Sequence, residues 1–205
     1  MTWPACAPKL VSTKKRNVVI LDHIPQMSHI VVRIAPGTTF MPTRDEFCKL
    51  TGLPLEALKS RTRRGQMPFD NEGERKPHGY SLFDAFLTHC ALRLGGEPLF
   101  CHPTAAASIV RSASAELEAA WPGIWTSGWK LHLGRSHREI VWTRIWVPGQ
   151  VAGEVFVGTA RELSEVTEEL SALTDGVIQS ASRAAALMIT FAEQNGVEVP
   201  REIRK

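Results

Sequence analysis

The chain has little of what would set it apart from ordinary globular proteins. Its longest purely apolar runs, Val18 to Leu21 and Ile30 to Val32, are only a few residues long. That is far short of the ~20 apolar residues that span a bilayer, so no membrane partner is expected. The Lys14-Lys15-Arg16 cluster is not followed by a secretory apolar region. The cysteines Cys6, Cys48, Cys90 and Cys101 contain no CxxC pair. A disulfide scaffold is therefore excluded, and free thiols in the cytoplasm are the expectation. There is no P-loop, no GxSxG, no HExxH and no Rossmann glycine pattern. No activity as an enzyme and no cofactor are expected from that. No repeat of 20–50 residues is visible.

What is present is a 205-residue chain, hydrophobic at 43% and charged at 22%, which excludes wholly disordered and collagen-like classes. The length suits one large domain or two small ones. The formal net charge of +3 hides an asymmetry. Up to residue 150 there are 19 Lys and Arg against 12 Asp and Glu, and beyond it 5 against 9. A basic front and an acidic back point to a polyanion-binding part joined to a part with another task.

Residues 1–38 read as an N-terminal extension. It holds a possible β-hairpin of Val18 to Leu21 with Ile30 to Ile34, closed by Pro36-Gly37. From Thr39 the periodicity turns helical. Thr43-Arg44-Asp45-Glu46 has the form of a capping box, Phe47 and Leu50 share a face, and Gly52 stops the helix. A second helix starts at Pro54, faces Leu55 and Leu58 inward and ends at Gly65. The polar stretch Phe69 to His78 reads as a long loop or β-wing. Ser81 to Asp84 opens a third helix, which Gly95-Gly96 terminates. One helix is expected over Thr104 to Ala120, halted before Trp121-Pro122-Gly123. Strands are expected at Leu131 to Leu133, Ile140 to Val147 and Glu154 to Val157. Two last helices follow, one through Leu163, Val166, Leu170 and Leu173, and one over Val177 to Glu193.

The order of helix, tight turn, basic helix, charged wing and helix resembles the winged helix-turn-helix of the MerR-like and excisionase-like DNA-binding domains. The residues that carry the resemblance begin with Phe47 to Pro54 at the first junction, followed by Leu58-Lys59. Arg63-Arg64-Gly65-Gln66-Met67-Pro68-Phe69 lead into the wing, and Tyr80 to Asp84 with Leu94-Gly95-Gly96 close it. The resemblance spans roughly residues 39–97. It implies that the second helix enters a major groove, about 12 Å wide, where Arg can pair bidentately with guanine. Lys59, Arg61, Arg63 and Arg64 are the candidates on that helix. Arg75 and Lys76 would meet phosphates or the minor groove from the wing, and Arg44 and Lys49 would grip the backbone from the first helix. The plainer reading of Lys59 to Arg64 is the solvated face of an amphipathic helix.

Other signals were weighed in the same way. His89-Cys90 and Cys101-His102 fit no common zinc spacing, and Cys90 lies on an apolar stripe, so no metal is expected. Trp121, Trp125 and Trp129 are four apart, but Pro122-Gly123 argues against a regular helix through them. Trp142 and Trp146 alternate onto one face of their strand with Ile140, while Val141, Ile145 and Val147 make the other face apolar too. A Trp-rich core or interface is the plain reading, an aromatic ligand pocket the functional one. His132, His137 and Glu139 could make an acid–base set, but no nucleophile is placed nearby. The final helix is rich in alanine (Ala181, Ala184, Ala185, Ala186), which suits close helix packing in a dimer or within the chain.

The expected fold is therefore α+β, with an N-terminal winged helix-turn-helix followed by a small antiparallel sheet with a C-terminal helical hairpin. Residues 98–205 form the second module, for dimerisation or partner binding. The expected function is a sequence-specific transcriptional regulator, bacterial or phage, that binds double-stranded DNA as a homodimer. The alternatives are an excisionase-like recombination factor, a phage DNA-packaging recognition subunit, and a protein-interaction module that binds no DNA. Two departures weaken a typical effector-sensing MerR mechanism: the 38-residue extension, and the lack of a long dimerisation helix after the head. A small-molecule effector is left unknown.

Overall fold

Three T/S-x-x-E/D signatures set helix starts by the same local chemistry. Thr43 Oγ1 accepts from the Glu46 amide at 3.3 Å while the Glu46 carboxylate accepts from the Thr43 amide at 2.7 Å. Ser81 with Asp84 and Thr159 with Glu162 repeat the pattern. The computed structural model describes residues 40–69, 79–97, 99–145, 154–169 and 178–203. The expected hairpin of residues 18–34, the wing over 70–78, and Trp146, Val147 and Pro148-Gly149 lie outside the described residues.

Among the described residues the protein is mixed, with seven helices and one three-stranded antiparallel sheet. The helices are α1 (Arg44–Thr51), α2 (Leu55–Arg63), α3 (Leu82–Gly95), α4 (Pro103–Ser112), α5 (Ser114–His132), α6 (Ala160–Glu169) and α7 (Ala181–Gln194). The strands are β1 (Ile140–Ile145), β2 (Glu154–Thr159) and β3 (Gln179–Ser180), in the order β2-β1-β3. The register pairs Trp142 with Val157 and with Gln179.

Strand β1 buries side chains on both faces, though Thr143 and Arg144 interrupt its apolar run. Ile140, Trp142, Val155 and Val157 belong to the main core, while Val141 packs with Leu163, Phe156 and Val166 beneath α6. The main core runs without a break from Phe47 to Ile203, so residues 39–97 and 98–205 share one apolar interior. The chain divides instead after Thr38, with Thr39–Lys205 as one unit.

Three expectations are corrected here. First, residues 104–120 are not one helix stopped by Pro122. A break at Ala113 ends α4, and α5 then runs through Pro122 to His132. An interior proline costs about 3 kcal/mol, and here tertiary packing outweighs it. Trp121, Trp125 and Trp129 stack as a ladder with ring centroids 5.2 and 6.2 Å apart. The indole N–H groups of Trp125 and Trp129 both donate to the Pro200 carbonyl, at 2.9 and 3.2 Å. Second, the same helix absorbs the strand expected at Leu131 to Leu133, Leu133 being its C-cap.

Third, among the described residues α6 and α7 do not pack as a hairpin. β3 intervenes before α7, which therefore begins at Ala181; α7 packs on α5, α3, α1 and β1, whereas α6 packs on β2. The small residues of α7 face α5. A Cβ at Gly128 would sit 2.6 Å from the Ala185 Cβ, so the two helices cross where neither carries a larger side chain. A buried hydroxyl chain ties the same junction to β1: Ser182 Oγ donates to Ser127 Oγ at 2.8 Å, Ser127 Oγ donates to the Arg138 carbonyl, and the Ile140 amide donates to Ser182 Oγ. The alanine face is thus used within the chain, not for a dimer.

Candidate nucleic-acid interface

The candidate interface is built from α1, the turn Gly52-Leu53-Pro54 and α2. Gly52 adopts φ +69, the left-handed C-cap that lets the chain reverse after α1. The ring of Phe191 on α7 lies against it, 3.3 Å from where a Cβ would stand. His89 on α3 fixes the end of α1, its Nε2 lying 2.7 Å from the Leu50 carbonyl oxygen, and stacks on Phe191 at 5.6 Å. Burial holds the His89 imidazole below its ordinary pKa, partly offset by that backbone bond, so the ring is neutral and Nε2 carries the donated proton.

Helix α2 is seated by Leu58 alone, fully buried, and packs chiefly on α1. Leu55 was expected to face inward; it is 42% exposed. It lines an open groove of about 640 Å³ with Arg44, Cys48, Lys49 and Phe191. Leu55 opens α2 beside the turn, and the groove between it and α1 is left unfilled. After α2 the chain dives back into the core at Met67 and Phe69. Arg111 on α4 donates to the Met67 carbonyl at 2.6 Å, and Gln66 Nε2 donates to Thr104 Oγ1 at 3.4 Å. Phe69 and Tyr80, on either side of the 70–78 segment, both pack on Phe47, with centroids at 6.2 and 4.1 Å.

The candidate cations fall into distinct settings. Lys59 is paired with Glu56 at 2.8 Å and Lys49 with Asp45 at 2.8 Å. Each pair is exposed, and the Asp45 hydrogen bond raises Lys49 while the Lys59 hydrogen bond lowers Glu56. Arg44 is exposed at the start of α1 and lines the groove with Lys49. Arg63 and Arg64 are exposed at the solvent end of α2, and Arg61 is half-buried. Residues two apart on a helix do not share a face, so Arg61 and Arg63 project to opposite flanks and do not form a single row. Arg61 and Arg63 also lie in the last turn, where cations complement the helix dipole by about 0.3–1 kcal/mol. Arg75 and Lys76 lie outside the described residues.

The other candidates resolve into structure. Cys90 is completely buried, and desolvation pushes its thiol up to about 12, so it packs as a small apolar residue. Among the described residues no three His, Cys, Asp or Glu side chains group as a metal site requires. His132 pairs with Glu193 at 2.9 Å, His137 with the Arg135 carbonyl, and Glu139 with Arg183, so the three do not converge. Trp121, Trp125 and Trp142 are core, and Trp129 packs half-buried against it. No helix among the described residues is long and apolar enough to cross a membrane.

The chain matches no family model, no curated protein and no solved structure. Its own geometry is what bears on function.

Proposed function

We propose that the protein is a sequence-specific DNA-binding protein with a MerR-like or excisionase-like head, and that it serves as a transcriptional regulator in a bacterium or phage. The observation that carries this reading is α2. It follows a left-handed glycine turn, is anchored by one leucine, and turns Arg63 and Arg64 to solvent with no acid on its outer half beyond Glu56. Such a helix offers a groove-sized, positively charged edge. The rest of the head supports it: Phe47, Leu50, Met67 and Phe69 hold both flanks of α2 on the core, so the helix is presented rigidly. The reading needs no catalytic residue and no cofactor.

Changing Arg61, Arg63 and Arg64 together to Ala tests it. Duplex shifts are expected to be lost while the far-UV spectrum and melting temperature hold; shifts that survive all three changes would sink the reading. Sequencing the DNA that co-purifies with tagged protein separates the roles that share this head. Enrichment at promoters means regulation, whereas enrichment at attachment or packaging sites means recombination or packaging. A homodimer remains part of the proposal, and it must use a surface other than the alanine face of α7. Sedimentation at rising concentration reads that directly.

A further inference from the structure

The loop between α3 and α4 holds an aromatic ring in a position that neither packing nor backbone preference accounts for. Phe100 is 67% exposed, the most exposed of the large hydrophobic side chains among the described residues. It is also the one non-glycine described residue with positive φ, at +46, where an aromatic side chain is strained. The loop is nonetheless tightly held. The Phe100 amide donates to the Gly96 carbonyl at 2.9 Å, Leu99 donates to the same oxygen at 3.0 Å, and Cys101 donates to the Leu94 carbonyl at 3.0 Å. These backbone bonds hold Phe100 in place with its ring in solvent, as in a preorganised contact residue.

The α2 arginines are connected to this loop through one side-chain hydrogen bond. Four residues on, Thr104 receives the Gln66 side chain, which directly follows the Arg63-Arg64-Gly65 end of α2. Four residues span at most roughly 14 Å and the Gln66–Thr104 link with the two residues back to Arg64 adds at most roughly 18 Å, so Phe100 and Arg64 fall within about one ~34 Å helical turn of DNA. Glu97 is the one described acid in the loop, against Arg63 and Arg64 across that contact. A cationic edge beside an exposed ring suits a polyanion with apolar faces.

We propose that Phe100 is a second DNA contact, an apolar one, set against the bases and sugars flanking the groove that α2 enters. This rests on the reading of α2 as a DNA-binding helix. The test uses the full chain and a mixed-sequence duplex of about three helical turns, titrated over a range of salt. Phe100→Asn, whose side chain tolerates left-handed backbone, is expected to melt no lower than the wild type and to bind roughly tenfold more weakly. The slope of log K against log salt should not change, because a ring releases no counterion. Phe100→Trp should bind like the wild type. The double change Arg63→Ala, Arg64→Ala should instead make the slope shallower, by about two phosphate contacts.

Wild-type affinity in Phe100→Asn overturns the inference alone, provided the arginine variant still weakens binding. A loss accompanied by a shallower slope also overturns it, since the ring would then act through phosphate contacts. So does a lower melting temperature, which would make Phe100 a packing residue. A wild-type chain that binds no duplex at low salt overturns this inference together with the reading of α2.

Discussion

Helices α2 and α7 both border the Gly52 turn, yet they are held by different means. α7 buries eight of its fourteen residues, against one of nine in α2. The buried residues of α7 are mostly alanine, with Met188 and Ile189, so its stability comes from close approach to α5 and from many small contacts. α2 relies on Leu58 and on the two flanks of chain that return to the core. The contrast teaches where chemistry can be placed cheaply. More than half of α7 is committed to packing, whereas most of α2 is open to carry arginines without disturbing the interior.

The strongest way to break this contrast is to compare core and head truncations by urea unfolding. Trp125→Ala removes the fully buried centre of the tryptophan ladder and an indole bond to Pro200, and should cost about 3–5 kcal/mol or prevent folding. Leu58→Ala should cost about 2–4 kcal/mol, with loss of any duplex binding. If it costs as little as a surface change, α2 is not seated as described. At the α5–α7 crossing, Gly128→Ala forces a Cβ to 2.6 Å from that of Ala185. The strain should exceed the gain in helix propensity and leave a net loss of about 1–2 kcal/mol. A neutral result would mean that the helices separate easily.

His89 sharpens the comparison through pH, because it joins α3 to the end of α1 and touches Phe191 of α7. Its native pKa is depressed, so the unfolded chain binds the proton more readily. Its contribution is fully present above the ordinary value of 6.5 and is lost as pH falls through the native pKa. The melting temperature should therefore fall more steeply below that pH in the wild type than in His89→Gln. The smallest effect is expected at the other extreme: Arg63→Ala with Arg64→Ala should stay within about 0.5 kcal/mol of the wild type. A large loss there would mean that these arginines are structural.

Local chemistry was legible wherever it was sufficient by itself. The capping boxes at Thr43 and Ser81, the Gly52 stop, the two-faced strand at Ile140 and the burial of Cys90 follow from neighbours a few residues apart. The third box, Thr159 with Glu162, has the same signature and could have been read the same way. The basic character of α2 was also plain. Its arrangement was not, because Lys59 is matched by Glu56 just upstream and Arg61 projects away from Arg63. Nor could Phe100 be found from spacing: its exposure and its φ come from a turn closed by Gly96 and Leu94 carbonyls.

The sequence by itself determined the starts of α1, α2 and α3, the α+β texture and the placement of positive charge near residues 59–64, because each depends on interactions within a turn or two. Tertiary structure alone decided that α5 continues through Pro122, that α7 joins the core and not α6, and that Leu55 stays in solvent. In the first two cases a contact made by residues distant in the chain outweighs a local preference of a few kcal/mol: the Pro200 carbonyl for the tryptophan ladder and the Gly128–Ala185 crossing for α7; Leu55 stays in solvent because the groove beside it is left open.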